Sequence, residues 1–76
     1  MAIDVAPDVV DQLMDLYCDW REECHAVHVA YERFAAASGR ERPLAFAAYE
    51  AALDREEAAC MEYAAQICVV AGRRPN

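Results

Sequence analysis

The segment EECHAVH, residues 22–28, places two carboxylates, a thiol and two imidazoles within two helical turns. Cys24 and His28 are four residues apart, so in an α-helix they share one face. Glu56 and Cys60 have the same spacing further along the chain. Zinc in proteins is bound by thiolates, imidazoles and carboxylates, and these four residues are therefore a candidate tetrahedral zinc site.

The same four residues also have an interpretation without metal. Free cysteines behave as small apolar side chains, so Cys24 and Cys60 can fill a contact between helices. His28 would then pair with Glu56, which would otherwise be a charged residue without a partner. A disulfide between the two cysteines is a third possibility. The spacing is not a recognised zinc motif, so we expect no cofactor, with zinc as the alternative.

Two long segments repeat apolar residues at intervals of three and four, which predicts two amphipathic helices. The seam of the first helix is Val10, Leu13, Tyr17, Trp20, Cys24, Val27, Tyr31, Phe34 and Ser38. The seam of the second helix is Phe46, Tyr49, Leu53, Glu56, Cys60, Tyr63, Ile67 and Val70. We expect one all-α domain with a helix over about 8–38, a turn over 39–42, a helix over about 43–71 and a short tail over 72–76.

The linker SGRER, residues 38–42, is short enough to force the chain to reverse. Gly39 suits the end of the first helix and Pro43 the first turn of the second. The prediction is an antiparallel, coiled-coil-like helical hairpin in which the numbers of facing residues add to about 80 or 81. This register pairs Phe34 with Phe46, Tyr31 with Tyr49, Val27 with Leu53, Tyr17 with Tyr63, Leu13 with Ile67 and Val10 with Val70.

Glu22 and His25 form a Glu-x-x-His pair, which di-iron and di-manganese carboxylate bundles use as metal ligands. In the heptad pattern both residues face away from the seam. Burial of this charged face in a metal site would be costly. We interpret the pair as part of a polar face in contact with solvent.

The four cysteines also allow a redox role, through the pairs Cys18 with Cys68 and Cys24 with Cys60. Disulfides require Cα atoms within about 7 Å of each other, and the predicted register offsets Cys18 from Cys68 by several residues. A reducing compartment would keep all four as thiols.

A two-helix hairpin buries one stripe on each helix, and a chain of 76 residues needs further help to fold stably. Apolar residues remain beside the seams and predict an interface. These residues are Val9, Met14, Leu16, Met61, Cys68 and Val69. The simplest arrangement is a homodimer that forms a four-helix bundle, and the alternative is a different protein that covers the same stripe.

The net charge of −7 argues against binding of nucleic acid or anionic lipid. The chain shows neither a signal-peptide pattern nor an apolar run of roughly 20 residues, so we expect a cytoplasmic protein. Its Arg residues without Lys, and its abundant Ala, are typical of GC-rich coding sequences such as those of actinobacteria and their phages.

Catalysis has little support in the sequence. Ser38 is the only serine, threonine is absent, and no glycine-rich phosphate loop occurs. We therefore expect no enzyme and no small-molecule substrate. The sequence favours a small acidic interaction module, such as a regulator, adaptor or accessory factor, that dimerises and binds another protein. A zinc or redox-responsive bundle is the alternative, and a structural subunit of a larger assembly is the third.

Overall fold

The computed structural model describes residues 7–72, which form two long helices packed side by side. Helix α1 spans Pro7–Ala36 and helix α2 spans Glu41–Gly72. The two helices run antiparallel and contact each other extensively. The prediction of an all-α antiparallel hairpin is confirmed.

The turn over residues 37–40 is shaped by Gly39, whose φ of +59° lies in the left-handed region. Glycine adopts this conformation without the steric cost that a Cβ imposes. The amide of Glu41 donates to the carbonyl of Ser38 (3.2 Å), and the amide of Arg42 donates to the carbonyl of Gly39 (3.3 Å). These bonds start α2 two residues before Pro43, which still lies in the first turn, where its missing N–H costs nothing.

The side chain of Arg42 closes the turn from outside. Its guanidinium donates to the carbonyl of Ala37 (3.3 Å) and lies over the ring of Phe34, 4.3 Å from the centroid. The contact satisfies a carbonyl beyond the end of α1, whose helical hydrogen bonding stops at Ala36. Helix α1 ends two residues earlier than the sequence predicts.

Three aromatic pairs establish the register of the two helices. The ring centroids are 5.3 Å apart for Phe34 and Phe46, 5.6 Å for Tyr31 and Tyr49, and 5.6 Å for Tyr17 and Tyr63. The residue numbers of each pair add to 80, as the sequence predicts.

The face with which each helix contacts the other is not centred on its predicted seam. Half of the seam, here called the outer seam, repeats every seventh residue and lies at the edge of the contact. It consists of Val10, Tyr17, Cys24 and Tyr31 on α1 and Phe46, Leu53, Cys60 and Ile67 on α2. The predicted seam is therefore covered by the other helix along only one of its halves. The other half, which includes Trp20 and Tyr63, is half-buried.

Alanines explain the rotation. Ala45, Ala52 and Ala59 follow one line of α2 beside the half-buried part of its seam, and Ala52 is 1% exposed. Small side chains let two helices approach closely, so the helices turn towards this line and away from the larger outer-seam residues. Within residues 9–72, Ala52 is the only buried residue. In the same range, neither helix is long and apolar enough to cross a membrane.

Candidate functional site

The structure brings together only part of the candidate zinc site. The Cys24 thiol donates to Oε2 of Glu56 over 4.0 Å. Nε2 of His28 lies 3.2 Å from Oε2 of Glu32 on the same helix, and its side chain is 67% exposed. Among the side chains of residues 9–72, no group of three or more His, Cys, Asp or Glu is placed to hold a metal ion.

Glu56 takes a partner that the sequence analysis did not predict. The indole nitrogen of Trp20 donates a hydrogen bond of 2.7 Å to its Oε2. Among the described residues, the predicted pair of His28 and Glu56 is not formed, because Glu32 lies one turn away from His28 and needs no contact across the hairpin. A signal for the actual pair was present, because the single N–H of an indole can only donate and Glu56 is the one charged residue of its seam.

Trp20 also belongs to an aromatic cluster. It stacks on Tyr63 with an interplanar angle of 19° and a centroid distance of 5.8 Å, and Tyr17 meets it edge-on at 6.0 Å. The cluster and the hydrogen bond to Glu56 fix both ends of the indole. This arrangement stabilises the half of the hairpin far from the turn.

The cysteines are free thiols in the structure. Cys18 and Cys68 are exposed, whereas Cys24 and Cys60 are half-buried on the outer seam. Glu22 and His25 are exposed, as predicted for a polar face.

A continuous apolar strip follows the outer seam. Its large aliphatic and aromatic members are between 38% and 51% exposed: Val10, Tyr17, Tyr31, Phe46, Leu53 and Ile67. Seven-residue spacing keeps these side chains on one face of each helix, and antiparallel packing puts the two faces on the same side of the hairpin. The strip therefore runs along most of the molecule.

The six predicted interface residues do not form one stripe. Met14 lies next to the outer seam on α1. Met61 and Cys68 lie on the face of α2 that is turned away from α1. All three are exposed. The remaining three lie on the opposite side of the hairpin, which carries Ala45, Ala52 and Ala59 and is here called the alanine side. They are Val9 and Leu16, which are half-buried, and Val69, which is exposed.

The alanine side carries a shallow groove of about 380 Å³. It is lined by Ala26, Val29, Ala30, Arg33, Ala45, Ala48 and Arg55. Nε of Arg55 also lies 3.4 Å from Oε1 of Glu23 across the hairpin. Leu16 lines a second, more open depression on this side, with Gln12, Asp15 and Gln66.

Charged residues flank the outer seam with opposite signs on the two helices. Arg21 and His28 follow its edge on α1, and Glu50 and Glu57 follow its edge on α2. All four are exposed. Arg21 is thus a cation beside the strip on α1, and Glu50 and Glu57 make the edge on α2 acidic.

No protein-family model, curated protein or solved structure matches this chain. The properties of its surface are therefore the basis for a functional proposal.

Proposed function

We propose that this chain is a non-enzymatic, cytoplasmic protein–protein interaction module that binds a helical partner on its outer seam. One observation carries the proposal: within residues 9–72 the hairpin buries only Ala52, while six large apolar side chains of the outer seam lie exposed along one side. A chain of this size with so little buried surface needs a further layer to stabilise it. Contiguous exposed apolar surface of this kind marks interaction sites.

The shape of the strip favours a helical partner. Its side chains recur with the spacing of helix ridges, and apolar ridges of this kind accept the apolar face of another helix. The net charge of −7 disfavours nucleic acid and anionic membranes as alternative ligands.

Site-specific photo-crosslinking in cells tests this proposal without knowledge of the partner. A photoreactive phenylalanine analogue at Tyr31 reports on the outer seam, and the same analogue at Leu44 serves as the control. Leu44 is 74% exposed and does not belong to the seam. We expect a discrete protein adduct from position 31 and none from position 44. Equal labelling at both positions, or none at either, would contradict the proposal.

Zinc binding is the second candidate, because Cys24 and Glu56 are already in contact. His28 would have to leave Glu32, and Cys60 would have to join, to complete four ligands. Native mass spectrometry without chelator tests this candidate: one zinc per chain, lost in the Cys24→Ser variant, would support it. A role as a structural subunit predicts that the crosslinked adducts at position 31 belong to a stable assembly that co-purifies with the chain.

A further inference from the structure

We infer that the partner on the outer seam is a second copy of this chain, with α1 of each copy packed against α2 of the other. This inference rests on the proposed interaction function and names the partner. The two turns would lie at the same end of the resulting four-helix bundle, and every neighbouring pair of helices would be antiparallel. A two-fold axis parallel to the helices generates this arrangement.

The area of the outer-seam side suits a dimer of this kind. The helices are 30 and 32 residues, or about 45 to 48 Å, long, so a face 13 to 16 Å wide offers on the order of 600 to 800 Å². A stable interface of standard size takes roughly 800 Å² from each partner. The chain also exposes 5746 Å², against roughly 4,700 Å² for a compact monomer of its mass. The excess is of the order that one such interface removes.

The outer seams of two copies interdigitate in this arrangement. The numbers of facing residues in the hairpin add to 80. A residue of α2 therefore lies at the same height along the hairpin as the α1 residue whose number is 80 minus its own. This number is here called its level. The outer-seam residues of α2 fall at levels 13, 20, 27 and 34, between those of α1 at 10, 17, 24 and 31. A two-fold axis along the helices preserves these levels, so each side chain enters the space between two side chains of the partner.

The charges beside the seam select this arrangement over its alternative. Glu57 lies at level 23, two residues, or about 3 Å, from the level of Arg21. With α1 against α2 of the partner, Arg21 meets Glu57 on both flanks, while His28 keeps its contact with Glu32. With α1 against α1 of the partner, like charges would face each other, which disfavours that packing.

Charge reversal tests both the partner and the arrangement. Sedimentation equilibrium at low salt would measure the dimer Kd of the full chain, with helicity followed by circular dichroism. We expect Arg21→Glu and Glu57→Arg each to raise the Kd about tenfold, because the altered pair occurs twice in the dimer. The double variant should return the Kd to within about threefold of the wild type. Arg33→Glu and Glu62→Arg, on the other side of the hairpin, make the same changes of charge and should leave the Kd unaltered.

The outcomes separate failure of this inference from failure of the proposed function. A helical monomer at tens of micromolar would overturn self-association, and the photo-crosslink at position 31 to a different protein would leave the interaction function intact. A dimer in which the double variant is weaker than either single variant would overturn the pairing of α1 with α2 of the partner. If the single variants unfold, recovery of helicity in the double variant supports the arrangement, and its absence overturns it.

Discussion

The indole N–H of Trp20 donates a 2.7 Å hydrogen bond to Oε2 of Glu56 across the hairpin. This bond explains how a carboxylate is tolerated on the seam of α2: its Oε2 accepts from the indole and contacts the Cys24 thiol. Hydrogen bonds to charged groups are stronger than neutral ones, so this contact adds to the stacking of Trp20 on Tyr63.

Replacement of Glu56 tests the contribution of this bond. We expect Glu56→Ala to lower the free energy of unfolding by about 1 to 2 kcal/mol, because the half-buried indole N–H loses its acceptor. Glu56→Gln keeps a neutral acceptor and should cost about half as much. Urea unfolding followed by Trp20 fluorescence measures both the stability and the environment of the indole. Glu62→Gln, on an exposed residue, is the control, and an equal loss in that variant would show that the effect is one of net charge.

The close contact at Ala52 predicts an effect of added volume. Ala52→Leu inserts a larger side chain at the only buried position in residues 9–72 and should destabilise the fold by about 1 to 3 kcal/mol. Ala58→Leu makes the same change at an exposed position of α2 and should be close to neutral. Chemical denaturation compares the two variants. A neutral Ala52→Leu would mean that the helices are further apart in solution than in the structure.

The left-handed Gly39 predicts a purely conformational cost for a side chain in the turn. A Cβ at this position would have no heavy atom within 4 Å, so steric contact with neighbouring residues would add no cost to the substitution. Gly39→Ala should lower the melting temperature by an amount equivalent to about 1 to 2 kcal/mol. Gly39→Asn should lose less, because asparagine enters the left-handed region more readily. Calorimetry of the three proteins provides the ranking, and an unchanged melting temperature in both variants would argue that the turn rearranges.

The burial of the cysteines predicts two classes of thiol reactivity. Cys18 and Cys68 are exposed and should react rapidly with a disulfide reagent, whereas the half-buried Cys24 and Cys60 should react more slowly. Labelling followed by peptide mass spectrometry identifies the order. If a chelator accelerated the reaction of the slow pair, zinc would be indicated. Rapid reaction of all four thiols would contradict the burial of the outer-seam cysteines.

Much of the fold could be read from the sequence. Apolar residues at intervals of three and four, interrupted only by SGRER, determined two helices and a reversal. The aromatic residues determined the register, because matched side chains occur at equal distances from the turn and meet as Phe34 with Phe46 and Tyr17 with Tyr63. The partners of the polar residues do not follow from this periodicity: His28 takes a local acceptor in Glu32. The pair of Trp20 and Glu56 could be read only from their chemistry, an indole donor and the one charged residue of its seam.

Sequence periodicity by itself determined which side chains lie on the apolar stripe of each helix. Only the tertiary structure decided which half of that stripe faces the other helix. The spacing of apolar residues shows which side of a helix is apolar, but that side is several residues wide. Within it, the two helices approach each other most closely where the side chains are smallest. Ala52 and its neighbouring alanines therefore occupy the contact, and the larger residues of the outer seam, such as Tyr31 and Leu53, are left at the surface.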